Sequence, residues 1–87
     1  MKQYKILFTK QAQKDAEKVD KHNLKKNAQK IIAILESDPW TLPYEALVGR
    51  LKGAYSRRLN IQHRIVYTVN RKEKSVTVLR MWTHYDD

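Results

Sequence analysis

The sequence has no cysteine, two glycines, two prolines and a single phenylalanine in 87 residues, and each scarcity closes off a class of protein. Without cysteine there are no disulfide staples, no thiolate nucleophile and no cysteine-built zinc site, so a packed core must supply the stability and a reducing cytosol suits the chain. So few glycines and prolines, with no repeat and no low-complexity run, leave no linker or disordered stretch ahead of Asp86 and Asp87. The apolar run near the N-terminus, Ile6 to Phe8, is far too short for a signal h-region or a membrane span. A soluble, cytoplasmic protein without a membrane partner is expected, forming one domain over residues 1–87.

Acidic residues are also scarce. Nine Asp and Glu face 18 Lys and Arg, a formal charge of +9, which points to a polyanionic or acidic partner, nucleic acid foremost. The two halves carry different kinds of charge. Up to Lys30 every basic residue is a lysine, and these share the first half with Asp15, Glu17, Asp20, Glu36 and Asp38, a pattern that reads as a solvated helical exterior. All six arginines, Arg50, Arg57, Arg58, Arg64, Arg71 and Arg80, lie in the second half with Lys52, Lys72 and Lys74, and Glu73 is the only acid among them. Arginine pairs two phosphate oxygens at once through its planar fork and stays charged. The alternative is a basic sheet that serves solubility or meets an acidic protein.

The local patterns give an element order. Tyr4 to Thr9 reads as a strand, after which Thr9 caps a helix with Ala12, Ala16 and Val19 on its apolar side. Leu24, Ala28, Ile31, Ile32 and Leu35 recur at helical spacing from about Asn23 to Ser37, and Pro39 ends that helix. Asp38 to Arg50 reads as an ordered loop, followed by strands over Ala54 to Asn60, His63 to Asn70 and Ser75 to about Tyr85. The order β-α-α-β-β-β implies an α+β fold with two helices on one face of a mainly antiparallel sheet. Alternation puts His63, Ile65, Tyr67 and Val69 under the helices and Arg64 on the free face, and a three-residue hairpin loop would set Arg58 opposite Arg64. Two adjacent arginines repel unless an anion lies between them. Of the aromatic residues, Tyr67, Trp40 and Phe8 are expected in the core, and Tyr85 is the better candidate for stacking on an unpaired base.

No pair among His22, His63 and His84 has metal-ligand spacing, so no metal or cofactor is expected. His22 reads as solvated at a helix start and His63 as structural. Glu45 is an isolated carboxylate between the acidic helices and the basic sheet. A metal-free ribonuclease needs a base for the 2′-OH proton, an acid for the leaving 5′-oxygen and cations for the charge that develops on phosphorus. Glu45, His84, Arg58 and Arg64 are the residues available for those tasks.

Pro43-Tyr44-Glu45, Leu51-Lys52-Gly53-Ala54-Tyr55-Ser56-Arg57-Arg58, His63-Arg64-Ile65-Val66-Tyr67 and the terminal His84-Tyr85 together resemble the Txe/YoeB family, RelE-like mRNA-cleaving toxins of bacterial type II toxin-antitoxin modules. The resemblance covers essentially the whole chain. It implies a microbial-ribonuclease-like sheet, a cytoplasmic endoribonuclease that cuts mRNA in the ribosomal A site, and a cognate antitoxin whose acidic segment masks the arginines; pairing with a second copy is left open. The roles it implies are Glu45 as general base, Arg64 as stabiliser of the phosphorane, His84 as general acid, Arg58 as a phosphate contact and Tyr85 as a base or phosphate contact. Arg57, Lys52 and Arg50 complete the expected RNA-binding set. Val48 stands where the family can place a lysine, so that contact would be missing or fall to Arg50 or Lys52. Asp86 and Asp87 extend past the usual His-Tyr end, where their charge would raise the pKa of His84 or hinder RNA. A noncatalytic relative that inhibits a protein such as gyrase, or a plain RNA-binding module, would have no use for both proton-transfer groups.

Overall fold

The computed structural model describes residues 3–84, with Thr83 and His84 described by backbone only. The elements are β1 (Lys5–Phe8), α1 (Lys10–Lys21), α2 (Lys25–Ser37), β2 (Glu45–Ala46), β3 (Tyr55–Arg58), β4 (His63–Asn70) and β5 (Ser75–His84), with a short 3-10 turn at Gly49–Leu51 between β2 and β3. The five strands form one sheet in the order β1-β5-β4-β3-β2. β1 runs parallel to β5, and the other pairs are antiparallel. One feature departs from the sequence reading: the expected loop Asp38 to Arg50 contains the two-residue strand β2. The sheet is mainly antiparallel, as expected, and its one parallel pair arises because the helical hairpin returns the chain to a meander whose last strand lies beside the first.

Thr9 settles where the first strand stops. Its Oγ1 accepts from the Ala12 amide at 3.1 Å and donates to the Leu79 carbonyl at 2.9 Å, so one hydroxyl caps α1 and ties it to β5. Ala12 and Val19 from α1, with Ala28, Ile31 and Leu35 from α2, pack on Ile65, Tyr67, Val76, Val78 and Met81 of the sheet. This is the helix face of the sheet, as the alternation in β4 requires. Trp40 is only half-buried, and Phe8 stays 39% exposed; neither belongs to the buried cluster, because Phe8 lies on the outer edge strand and Trp40 follows the end of α2. No helix among the described residues is long and apolar enough to cross a membrane.

The β3–β4 hairpin has the expected register, with Arg58 opposite Arg64. Asn60 fixes its loop, since its Oδ1 accepts from the amides of Gln62 at 2.9 Å and His63 at 2.7 Å, an Asx-type turn made by a side chain suited to it.

Candidate active site

On the sheet face away from the helices, β2, β3 and β4 bring Glu45, Ser56, Arg58 and Arg64 together. Glu45 is registered with Ser56, and Arg58 with Arg64. With Pro43, Tyr44 and Arg57 they line an open recess of about 270 Å³. Arg64 lies at its floor, with a side chain 5% exposed; its Nη2 is 3.1 Å from Glu45 Oε1 and its Nη1 donates to Ser56 Oγ at 3.1 Å. The repulsion expected of two registered arginines is therefore offset from within the chain, because Glu45 supplies the anion. Its side chain is 50% exposed, so the carboxylate is open to solvent beside a fixed cation, while Arg58 is exposed at the rim.

Tyr44 enters this recess from an aromatic cluster. Its ring lies edge-on to Trp40 at 5.9 Å and to Tyr55 at 5.7 Å, and Arg71 covers the Trp40 ring at 4.5 Å. Edge-to-face packing of this kind fixes ring orientation, so Tyr44 is held next to Glu45.

The other expected RNA contacts are placed differently. Arg57 borders the recess but alternates to the opposite side of β3 from Arg58; it is buried, and its Nη1 donates to the Thr41 carbonyl, so its guanidinium holds the loop ahead of β2. Arg50 and Lys52 are exposed on and just after the 3-10 turn and are not among the lining residues, nor is the 85% exposed Val48. His84 lies at the end of β5, where it is registered with His63 while Thr83 is registered with Arg64; its side chain lies outside what is described. Tyr85, Asp86 and Asp87 lie outside the described residues.

Two further placements correct the sequence reading. His22 is exposed, as expected, but lies at the C-terminal end of α1 and not at a helix start; its Nδ1 donates to the Lys18 carbonyl at 2.8 Å and its ring meets Trp82 at 4.7 Å. Asp15, read as a solvated acid, is 1% exposed. Its Oδ2 accepts from Arg80 Nε at 2.8 Å and from the amides of Met81 at 3.0 Å and Trp82 at 3.3 Å, and its Oδ1 accepts from Gln11 at 3.1 Å. The signal was present in the sequence, because Asp15 falls between Ala12 and Val19 at the spacing of the apolar stripe.

Burial pushes the Asp15 carboxyl up, but the Arg80, Met81 and Gln11 hydrogen bonds and the Arg80 charge outweigh it, leaving its pKa below the ordinary aspartate value. A carboxylate lowered on folding contributes stability that is full above its unfolded pKa and is lost as pH falls through the folded one. Denaturant titrations below about pH 4 should therefore show a steeper acid loss for the wild type than for Asp15→Asn. Parallel curves would refute the assignment.

Comparison with known proteins agrees with this architecture. Residues 8–85 match the family model described as the YoeB-like toxin of bacterial type II toxin-antitoxin systems. Among curated proteins none matches the sequence. Among solved structures, a YoeB/ParE toxin from Agrobacterium tumefaciens superposes with a TM-score of 0.83 at 25% identity, over 93% of this chain and 99% of that one. A YoeB dimer from Staphylococcus aureus gives 0.80 at 26% identity over 95% and 99%, and a YoeB–YefM complex from the same organism gives 0.78 at 28% over 94% and 98%.

Proposed function

The chain belongs to the family of YoeB-like toxins of bacterial type II toxin-antitoxin systems, and we propose that it is a metal-free endoribonuclease that cuts mRNA in the ribosomal A site and is silenced by a cognate antitoxin. The observation that carries this reading is the Glu45 carboxylate held 3.1 Å from the buried Arg64 guanidinium, with Arg58 registered beside it in an open recess. A carboxylate alone would repel RNA and paired arginines alone would only bind it; together they suit a phosphate that must also lose a proton nearby.

In the proposed cycle the scissile phosphate enters between Arg58 and Arg64. Glu45 takes the 2′-OH proton as O2′ attacks phosphorus, and the two guanidiniums bear the charge that builds on the nonbridging oxygens. His84, protonated at the start, gives its proton to the 5′-oxygen as the P–O5′ bond breaks. The products are a 2′,3′-cyclic phosphate, or its 3′-phosphate hydrolysis product, and a 5′-hydroxyl. Tyr44, fixed at the wall of the recess, is placed to meet a base next to that phosphate, and Tyr85, Arg50 and Lys52 remain as outer contacts.

A freely active nuclease of this kind would harm its own cell. An acidic, flexible antitoxin segment that folds over the recess would put its carboxylates where the RNA phosphates go, so binding should weaken as salt rises. Relatives have been solved with YefM bound and as a dimer, and the same two kinds of partner are proposed here.

Brief induction without antitoxin, followed by mapping of mRNA 5′ ends, tests the reading. New 5′-hydroxyl ends within translated regions, absent when initiation is blocked, are expected. Growth arrest with intact mRNA and inhibited gyrase would favour a noncatalytic inhibitor instead, and a 3′-hydroxyl product would reject the mechanism.

A further inference from the structure

Three of the six arginines are held by oxygens of the chain itself: Arg57 by the Thr41 carbonyl, Arg64 by Glu45 and Ser56, and Arg80 by Asp15. Arg71 is held differently. It is exposed, no carboxylate among the described residues lies within ion-pair distance of it, and its guanidinium sits 4.5 Å from the centre of the Trp40 ring. A ring face attracts and orients a guanidinium through its quadrupole while leaving the charge and the in-plane N–H donors open to an anion. A carboxylate partner would have neutralised that charge.

The seat is itself fixed. Trp40 lies edge-on to Tyr44 at 5.9 Å and to Tyr55 at 5.1 Å. Tyr55 meets Tyr67 at 6.0 Å, and the Tyr67 hydroxyl donates to the Pro39 carbonyl at 3.4 Å, just ahead of Trp40. The turn that carries Arg71 is closed by Asn70 Oδ1, which accepts from the Glu73 amide at 3.0 Å, and it adds the exposed Lys72 and Lys74. Tyr44 belongs to both places, since it lines the recess and touches Trp40. Arg64 and Arg71 stand near the two ends of β4, about 23 Å apart at strand rise, a span of roughly seven stacked nucleotides and fewer when the strand is stretched.

We propose that Arg71, seated on Trp40, is a second phosphate site for the RNA strand whose scissile phosphate lies between Arg58 and Arg64, with the strand passing Tyr44 on the way. The proposal rests on the reading of the recess as an RNA site. Arg71 lies far from the reacting phosphate, so it adds affinity that depends on strand length and takes no part in proton transfer.

Fluorescence anisotropy with 2′-O-methyl RNAs, which lack the attacking hydroxyl, of about three and about ten nucleotides tests this in the full chain. The wild type should bind the longer RNA more tightly. Arg71→Ala should weaken binding of the longer RNA about tenfold, the scale of one charge-assisted contact, lower the slope of log Kd against log salt by about 0.7 and leave the shorter RNA unchanged. Arg71→Lys should recover part of the loss, because the charge remains. Lys30→Ala removes the same charge from the exposed side of α2 and should match the wild type on both RNAs. Wild-type affinity of Arg71→Ala for the longer RNA would overturn the proposal, even if that variant bound the antitoxin more weakly, which would give Arg71 to the protein partner. Equal losses on both lengths, an equal loss in Lys30→Ala, or a wild type that binds neither RNA would also overturn it. Length-dependent binding through Arg71 in a chain that cuts no mRNA would remove the nuclease reading and keep the second site; cleavage without that dependence would do the reverse.

Discussion

Arg64→Ala and His84→Ala are each expected to lower mRNA cleavage at least about 10²-fold, the usual loss when a charge-stabilising or proton-transfer group is removed. The two should fail for different reasons. Arg64 is the buried cation of the recess, bound to Glu45 and Ser56, so its loss removes the positive charge at the point where phosphorus becomes most negative. Arg64→Lys should recover only part of the rate, because an ammonium supplies the charge without the fork that spans two acceptors. His84 is argued from the terminal His-Tyr resemblance, and its loss removes the proposed proton donor to the leaving 5′-oxygen. Initial rates in a translating extract, with circular dichroism as a check on folding, measure both. A folded Glu45, Arg64, His84 triple variant that still cuts at the wild-type rate would end the nuclease reading.

Leu35→Ala should have the largest effect on stability. Leu35 is fully buried between α2 and the sheet, and truncating such a leucine costs roughly 2–5 kcal/mol through lost transfer energy and the cavity left behind. Against a total of roughly 5–15 kcal/mol for a domain, in a chain with no disulfide to limit the unfolded state, that is a large share. Each kcal/mol moves the melting temperature of a domain this size by about 4–8 °C. Ile61→Ala, at the exposed tip of the β3–β4 hairpin where the side chain is 90% accessible, should change stability by less than about 0.5 kcal/mol. Calorimetric melts of both variants check this, and a Leu35→Ala shift no larger than that of Ile61→Ala would mean that α2 does not pack on the sheet as described.

Periodicity alone determined much of this protein. The spacing of Leu24, Ala28, Ile31 and Leu35 placed α2, Thr9 marked the start of α1, and the alternation through His63, Ile65 and Tyr67 assigned the helix face of β4, which in turn set Arg64 on the other face. The Asn60 turn then made Arg58 its neighbour. These are local rules, since side-chain direction follows from backbone period and loop length. What the tertiary structure decided was which distant groups meet. Asp15 looked like any surface acid until β5 presented two amides and Arg80 to it; Arg57 looked like its neighbour Arg58 until the loop ahead of β2 offered the Thr41 carbonyl. A buried charge is tolerated only where partners converge from elsewhere in the chain, and no window of sequence contains them. The irregular register of β5 is of the same kind: Val66 pairs with Arg80 but Arg64 with Thr83, so the level at which the end of β5 meets β4, with His84 opposite His63, is set by the pairing of strands and not by either strand alone.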